Sequence, residues 1–118
     1  MKSRALFFIA AFFNFAVAAA FVWPDSPIWH WLGLIRPMQS LIPDLFAMFV
    51  ALFGVGYFMI ALNPRTNRPL ILFGAMGKLS VVAIVAFHYA QGRIGLAVPA
   101  LASGDLVFAL LFLRAYLR

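Results

Sequence analysis

This chain has no cysteine and no glutamate, and its acidic residues are Asp25, Asp44 and Asp105 alone. Without cysteine, disulfides, thiolate metal sites and thiol catalysis are excluded. Also missing is any polar or low-complexity stretch long enough for a soluble domain or linker. What is present is apolar: 66% of the 118 residues are hydrophobic, 10% are charged, and the mean hydropathy is +1.03. Ordinary soluble domains do not have this composition. A membrane span needs roughly 20 predominantly apolar residues. Four stretches qualify: Ala5 to Val22, Leu41 to Leu62, Leu70 to Ala90 and about Leu96 to Leu113. The expected fold is all-α, a single integral-membrane four-helix bundle filling residues 1–118.

Lys2 and Arg4 ahead of an apolar run, with Ala16, Ala18 and Ala20 behind them, have the look of an export signal. The run from Ala5 to Val22 exceeds the roughly 7 to 15 apolar residues of such a signal, and it reads as an uncleaved first span. The basic residues orient the bundle. Lys2, Arg4, Arg65, Arg68, Arg114 and Arg118 fall on one side of a four-span layout, and only Arg36 and Arg93 on the other. Lysine and arginine near span ends stay cytoplasmic, so both termini are expected inside a bacterial inner membrane. The net charge of +6 then reflects orientation and contact with anionic lipid head groups, not nucleic-acid binding.

The connections fit this layout. Asn63-Pro64 stops the second span, because proline disfavours helical geometry in the residue before it, and Pro69 suits the first turn of the third. Gln91-Gly92-Arg93-Ile94-Gly95 makes a short turn, so the third and fourth spans are expected to be antiparallel neighbours. Pro99 either starts the fourth span or kinks it. The first loop holds all the tryptophans, Trp23, Trp29 and Trp31, with Pro24, Pro27 and Pro37. Tryptophan prefers the head-group layer, so Ile28 to Ile35 is expected to be a short interfacial helix. An aromatic anchor accounts for it without a ligand, and a lid over a pocket is the functional alternative. Asp44-Leu45-Phe46 and Asp105-Leu106-Val107 each precede an Ala- and Phe-rich half-helix, a faint sign of a parallel repeat of two hairpins.

Lys78 and Asp105 are the residues that lipid alone does not explain. Counting ~1.5 Å per residue puts Asn14 ~14 Å along its span, Lys78 ~12 Å along its own and Asp105 ~14 Å deep from the far side. All three fall near one plane, and Lys78 and Asp105 lie on consecutive antiparallel spans. Gly54, Gly56, Gly74, Gly77 and Gly104 cluster at the same level, as close packing of membrane helices requires. Intramembrane ionisable groups are functional candidates by default. They also act as fixed structural glue, and the loss of one partner then strands the other charge. Tyr57 is a polar neighbour of the pair. His88, Tyr89 and Asp44 are more peripheral candidates. His30 and His88 lack metal-ligand spacing, and no phosphate loop or nucleophile elbow is present. No metal or cofactor is implied.

Gly54-Val55-Gly56-Tyr57, Asn63-Pro64-Arg65, Gly74-Ala75-Met76-Gly77-Lys78 and Gly104-Asp105-Leu106 resemble a group of small four-span bacterial proteins similar to DoxX-like membrane proteins. The likeness covers about the last two-thirds of the chain. It implies a four-helix membrane fold and points to the same Lys78 and Asp105, without implying an activity. The small multidrug exporters have a similar size but rely on a glutamate in their first helix, where this chain has only Asn14. The expected function is binding or translocation of a small solute or ion at the Lys78–Asp105 layer, in a homo-oligomer or with a membrane-protein partner. The alternatives are a structural subunit of a membrane complex and an enzyme or carrier for a lipophilic molecule.

Overall fold

The computed structural model describes residues 3–23 and 25–118. Its helices are α1 (Ser3–Val22), α2 (Ile28–Trp31), α3 (Leu41–Leu62), α4 (Arg68–Ala90) and α5 (Ala97–Leu117); no strand occurs among the described residues. The four longer helices are each long and apolar enough to cross a membrane, and at most 39% of any one apolar window is buried inside the protein. Most apolar side chains therefore face outward, the reverse of a soluble bundle. Phe12, Phe49, Phe73, Ile84 and Leu110 are among them.

Prolines set the helix starts. Pro69 is the second residue of α4, and Pro43 and Pro99 are the third residues of α3 and α5. A first-turn N–H has no intrahelical partner, so proline loses nothing there. The place of Pro99 is thus settled: it starts the helix rather than kinking it. After α3, Asn63 leaves helical geometry, and Asn67 Nδ2 donates to the carbonyls of Met59 (2.9 Å) and Asn63 (3.1 Å), tying the turn. The helix expected from Ile28 to Ile35 is shorter, ending at Trp31. Gly33, with φ 69°, reverses the chain there, and residues 34–37 have no regular structure.

The four long helices form two antiparallel hairpins, α1 with α3 and α4 with α5. They start and finish at one end, which carries Arg4 and Arg68; the opposite end carries the tryptophans. Each hairpin closes at its basic end by the same device. Arg4 at the start of α1 donates to the last carbonyls of α3, Ala61 (2.9 Å) and Leu62 (3.3 Å). Arg68 at the start of α4 donates to the Tyr116 carbonyl of α5 at 2.7 Å and lies 4.0 Å over the Tyr116 ring. A cation at a helix C-terminus satisfies orphan carbonyls and opposes the negative end of the helix dipole.

The likeness runs the length of the hairpins. Asn14 and Lys78 are 64 residues apart. Shifted by that spacing, Arg4 falls on Arg68, and buried Phe7, Ala10, Ala11 and Asn14 fall on Ile71, Gly74, Ala75 and Lys78, the whole buried set of α4. In the second helices the spacing is 55 rather than 64, because the first loop is longer than the third: Ala47, Gly54 and Tyr57 correspond to Ala102, Ala109 and Phe112, the whole buried set of α5. Matched residues also meet one another. Lys78 Nζ is 3.2 Å from Asn14 Oδ1, and the Tyr57 and Phe112 rings are 5.1 Å apart. Contact between equivalents at these two places fits a parallel repeat of two hairpins.

A repeat of two hairpins is therefore present, but its register differs from the one suggested by Asp44 and Asp105. The partner of Asp105 is Val50, and Asp44 lies in the first turn of α3, opposite Pro99. Helices built from Ala, Phe and Leu resemble each other at several offsets, so a shared Asp-Leu pair misleads.

Packing is uneven along the axis. The basic half is a continuous core in which Phe7, Ile60, Ala61, Ala75 and Phe112 are inaccessible and Phe7 stacks on Phe112 at 4.5 Å. The tryptophan half has a smaller core of Ala18, Phe21, Leu32 and Ala47.

Candidate functional site

At mid-height of the bundle, Lys78 Nζ donates to Asp105 Oδ1 at 2.6 Å and to Asn14 Oδ1 at 3.2 Å. The Asn14 amide in turn donates to the Val50 carbonyl at 3.0 Å. One connected network thus joins all four long helices. The three side chains expected in one plane do meet, because antiparallel neighbours joined by a short turn keep their register. Glycines make the approach possible. A Cβ at Gly54 would lie 2.8 Å from the Phe15 ring, one at Gly74 2.7 Å from Tyr57, and one at Gly77 2.9 Å from Phe53. Gly56 has open space around it, and Gly104 has only an ordinary contact, so these two do not serve close packing.

The ammonium group is surrounded by rings. The Lys78 Nζ lies 5.2 Å from the centroid of Phe13, 5.2 Å from Phe108 and 5.4 Å from Tyr57. Aromatic faces attract a cation, and in a setting of low dielectric they replace part of its lost hydration. Lys78 is 4% exposed, whereas Asp105 is 18% exposed, and its second carboxylate oxygen accepts no hydrogen bond from the described residues.

Asp105 lines a cleft of about 480 Å³ between the hairpins in the tryptophan half. Lys78, Asp105 and Asn14 form its polar patch. Phe46, Phe49, Phe53, Val81, Ile84 and Val85 line the sides toward α3 and α4, and Leu32 and Leu34 contribute from the first loop. The rim residues Phe49, Val81 and Ile84 are exposed, so the cleft opens sideways between α3 and α4. Its size and apolar walls with a few convergent polar groups are those of a small-molecule site. A shallower groove of about 260 Å³, without a charged residue, shares Phe49, Phe53 and Tyr57 with it on the basic side.

Tyr57 is buried in the cleft wall. The peripheral candidates are elsewhere: His88 is half-buried in the last turn of α4 beside Phe87, Tyr89 is exposed one residue on, and Asp44 is exposed at the start of α3. Trp23 and Trp31 are exposed, but Trp29 packs edge-on against Phe21 at 5.0 Å and is part of the small core. Among the described residues no three of His, Cys, Asp and Glu form a metal-ligating group.

Several partners carried little sequence signal. Phe13 and Phe108 are two of fourteen phenylalanines, and nothing in their spacing sets them apart except adjacency to Asn14 and a helical turn from Asp105. The Val50 carbonyl leaves no mark in a sequence at all. Comparison with protein-family models, with curated proteins and with solved structures finds no match.

Proposed function

We propose that this chain is a multi-pass protein of the bacterial inner membrane, with both termini cytoplasmic, that binds a small lipophilic molecule in the cleft between its hairpins. The polar group of the ligand meets Asp105 and Lys78, with Asn14 and Tyr57 beside them, and its apolar body lies against Phe49, Phe53, Val81 and Val85. The observation that carries this reading is the combination of apolar walls, a sideways opening and a partly exposed carboxylate at the deep end. A lipid-soluble molecule enters such a cleft from the bilayer without crossing water. The DoxX-like resemblance fits this four-span reading and assigns no ligand.

Translocation through a single chain requires the basic half to open, and that half is closed by Phe7, Phe112, Tyr57 and Ile60. In this proposal any path for a solute runs between copies of the chain. The rival structural role draws on one specific observation, that the Lys78 network already links all four long helices.

Photolabelling with a diazirine-bearing fatty alcohol in nanodiscs tests the proposal. Label is expected on Phe49, Val81 and Val85, with about tenfold less in Val85→Trp, which fills the cleft. Even labelling of outward residues such as Phe73 and Leu110, unchanged in Val85→Trp, would leave only the structural role.

A further inference from the structure

We infer that the ligand of the cleft presents a hydroxyl group, as a long-chain alcohol does, and that the site rejects anionic and acceptor-only head groups. This rests on the cleft reading above and names the chemistry of its polar end.

The hydrogen-bonding capacity left over at the polar patch carries the argument. A carboxylate has two acceptor oxygens and a lysine ammonium three donor protons. Asp105 Oδ1 is taken by Lys78, and Oδ2 accepts nothing from the described residues. The fully shielded side-chain atoms that lack a partner are nitrogens of Trp29 and Arg36; Oδ2 is not among them, so it keeps accessible surface. Lys78 Nζ donates to Asp105 and to Asn14, which leaves one proton without an acceptor among the described residues. Asn14, 6% exposed, already uses its oxygen on Lys78 and its amide on the Val50 carbonyl. Asp105 and Lys78 both line the cleft. What remains for a ligand is one anionic acceptor and one cationic donor, on groups 2.6 Å apart.

A group that donates and accepts at a single atom fits this pair. A hydroxyl gives its proton to Asp105 Oδ2 and takes the spare Lys78 proton on its oxygen. An ether or ketone oxygen accepts from Lys78 but leaves the carboxylate oxygen desolvated and unpaired, which is the costlier outcome. A sulfonate, phosphate or second carboxylate sets an anion against Asp105 between apolar walls, where like charges repel strongly. A quaternary ammonium meets Asp105 without a hydrogen bond and puts a second cation beside Lys78. The Lys78–Asp105 pair is neutral as a whole, and a neutral head group adds no uncompensated charge to the cleft.

The test is competition against the diazirine-bearing fatty alcohol in nanodiscs, read as label on Val81 and Val85. The competitors share a hexadecyl chain and differ at the head: hexadecanol, hexadecyl methyl ether, hexadecanesulfonate and hexadecyltrimethylammonium. Hexadecanol is expected to compete at about tenfold or more lower concentration than each of the others. Asp105→Asn should turn this order round, because its amide oxygen takes Lys78 and its nitrogen offers a donor; the methyl ether should then compete at least as well as the alcohol. Equal competition by all four in the wild type would overturn the inference, as would an unchanged preference for hexadecanol in Asp105→Asn. So would the sulfonate or the ammonium as the best competitor, since charge and not hydrogen bonding would then select. The wild-type ranking needs no variant, so it decides even where Asp105→Asn does not assemble. Label unchanged in Val85→Trp would remove the cleft itself. Label lost in Val85→Trp but displaced equally by all four would keep the cleft and remove the hydroxyl.

Discussion

The two hairpins meet the same packing requirement with different chemistry. In the first, Asn14 reaches across to a backbone carbonyl, Val50, at 3.0 Å. In the second, the corresponding residue Lys78 reaches a carboxylate, Asp105, at 2.6 Å, in the place that matches Val50. Asn14 and Lys78 sit at the same height, are both buried, and follow the same pattern of buried neighbours. The first hairpin therefore shows that a neutral amide and a main-chain oxygen suffice to join two helices at this level. An ion pair in the second is more than packing needs, and it carries a desolvation cost that the amide avoids. This difference weighs toward a task for the charges and against glue alone.

The largest test of the comparison is to make one hairpin a copy of the other. Lys78→Met should cost on the order of 3 to 5 kcal/mol by stranding Asp105 in an apolar setting, and Asp105→Leu a similar amount by stranding the ammonium. The double substitution Lys78→Asn with Asp105→Val reproduces the Asn14–Val50 arrangement and should recover most of that loss, read as thermal unfolding in detergent. It should also abolish photolabelling in the cleft. A double variant as unstable as Lys78→Met would break the equivalence of the hairpins.

A smaller effect is expected at the matched pair Ala10 and Gly74. Gly74→Ala places a methyl 2.7 Å from the Tyr57 ring and should cost about 1 to 3 kcal/mol by overpacking. Ala10→Gly, at the equivalent position, should cost only about 1 kcal/mol, the helix-propensity difference. Equal losses would mean that the two hairpins are packed alike at this position. The smallest difference concerns the closing arginines. Arg4→Ala and Arg68→Ala should each cost about 0.5 to 2 kcal/mol in the same unfolding measurement. Arg68→Ala should exceed Arg4→Ala by about 0.5 to 1 kcal/mol, because Arg68 also lies over Tyr116.

Much of this architecture was legible in the amino acids, for identifiable reasons. The bounds Leu41 and Leu62 are found from the sequence because Asn63-Pro64 ends the helix, and Leu41 opens the apolar run. The meeting of Lys78 and Asp105 is legible because a short turn fixes the register of adjacent helices, so counting residues measures depth. Asn14 falls in the same plane by the same counting. The repeat was legible only in part: its existence left a trace, but its register depends on which faces are buried, and near-uniform hydropathy hides that. Arg4 and Arg68 read as topology signals because position near a span end says nothing about which carbonyls a side chain reaches. Trp29 reads like Trp23 and Trp31, and only the packed loop separates it from them.

One contact has a mechanical consequence. Among the described residues, the bond from Lys78 to Asn14 is the only hydrogen bond that runs between the hairpins; the others close one hairpin or are local. Each hairpin is clamped at its basic end and cross-tied at mid-height, so in its polar contacts each is a separate lever, packed against the other through Phe7, Tyr57 and Phe112. The levers share a single polar pin, whose cation is also the one a ligand in the cleft would contact. A molecule that draws Lys78 away from Asn14 unpins the levers without unclamping either.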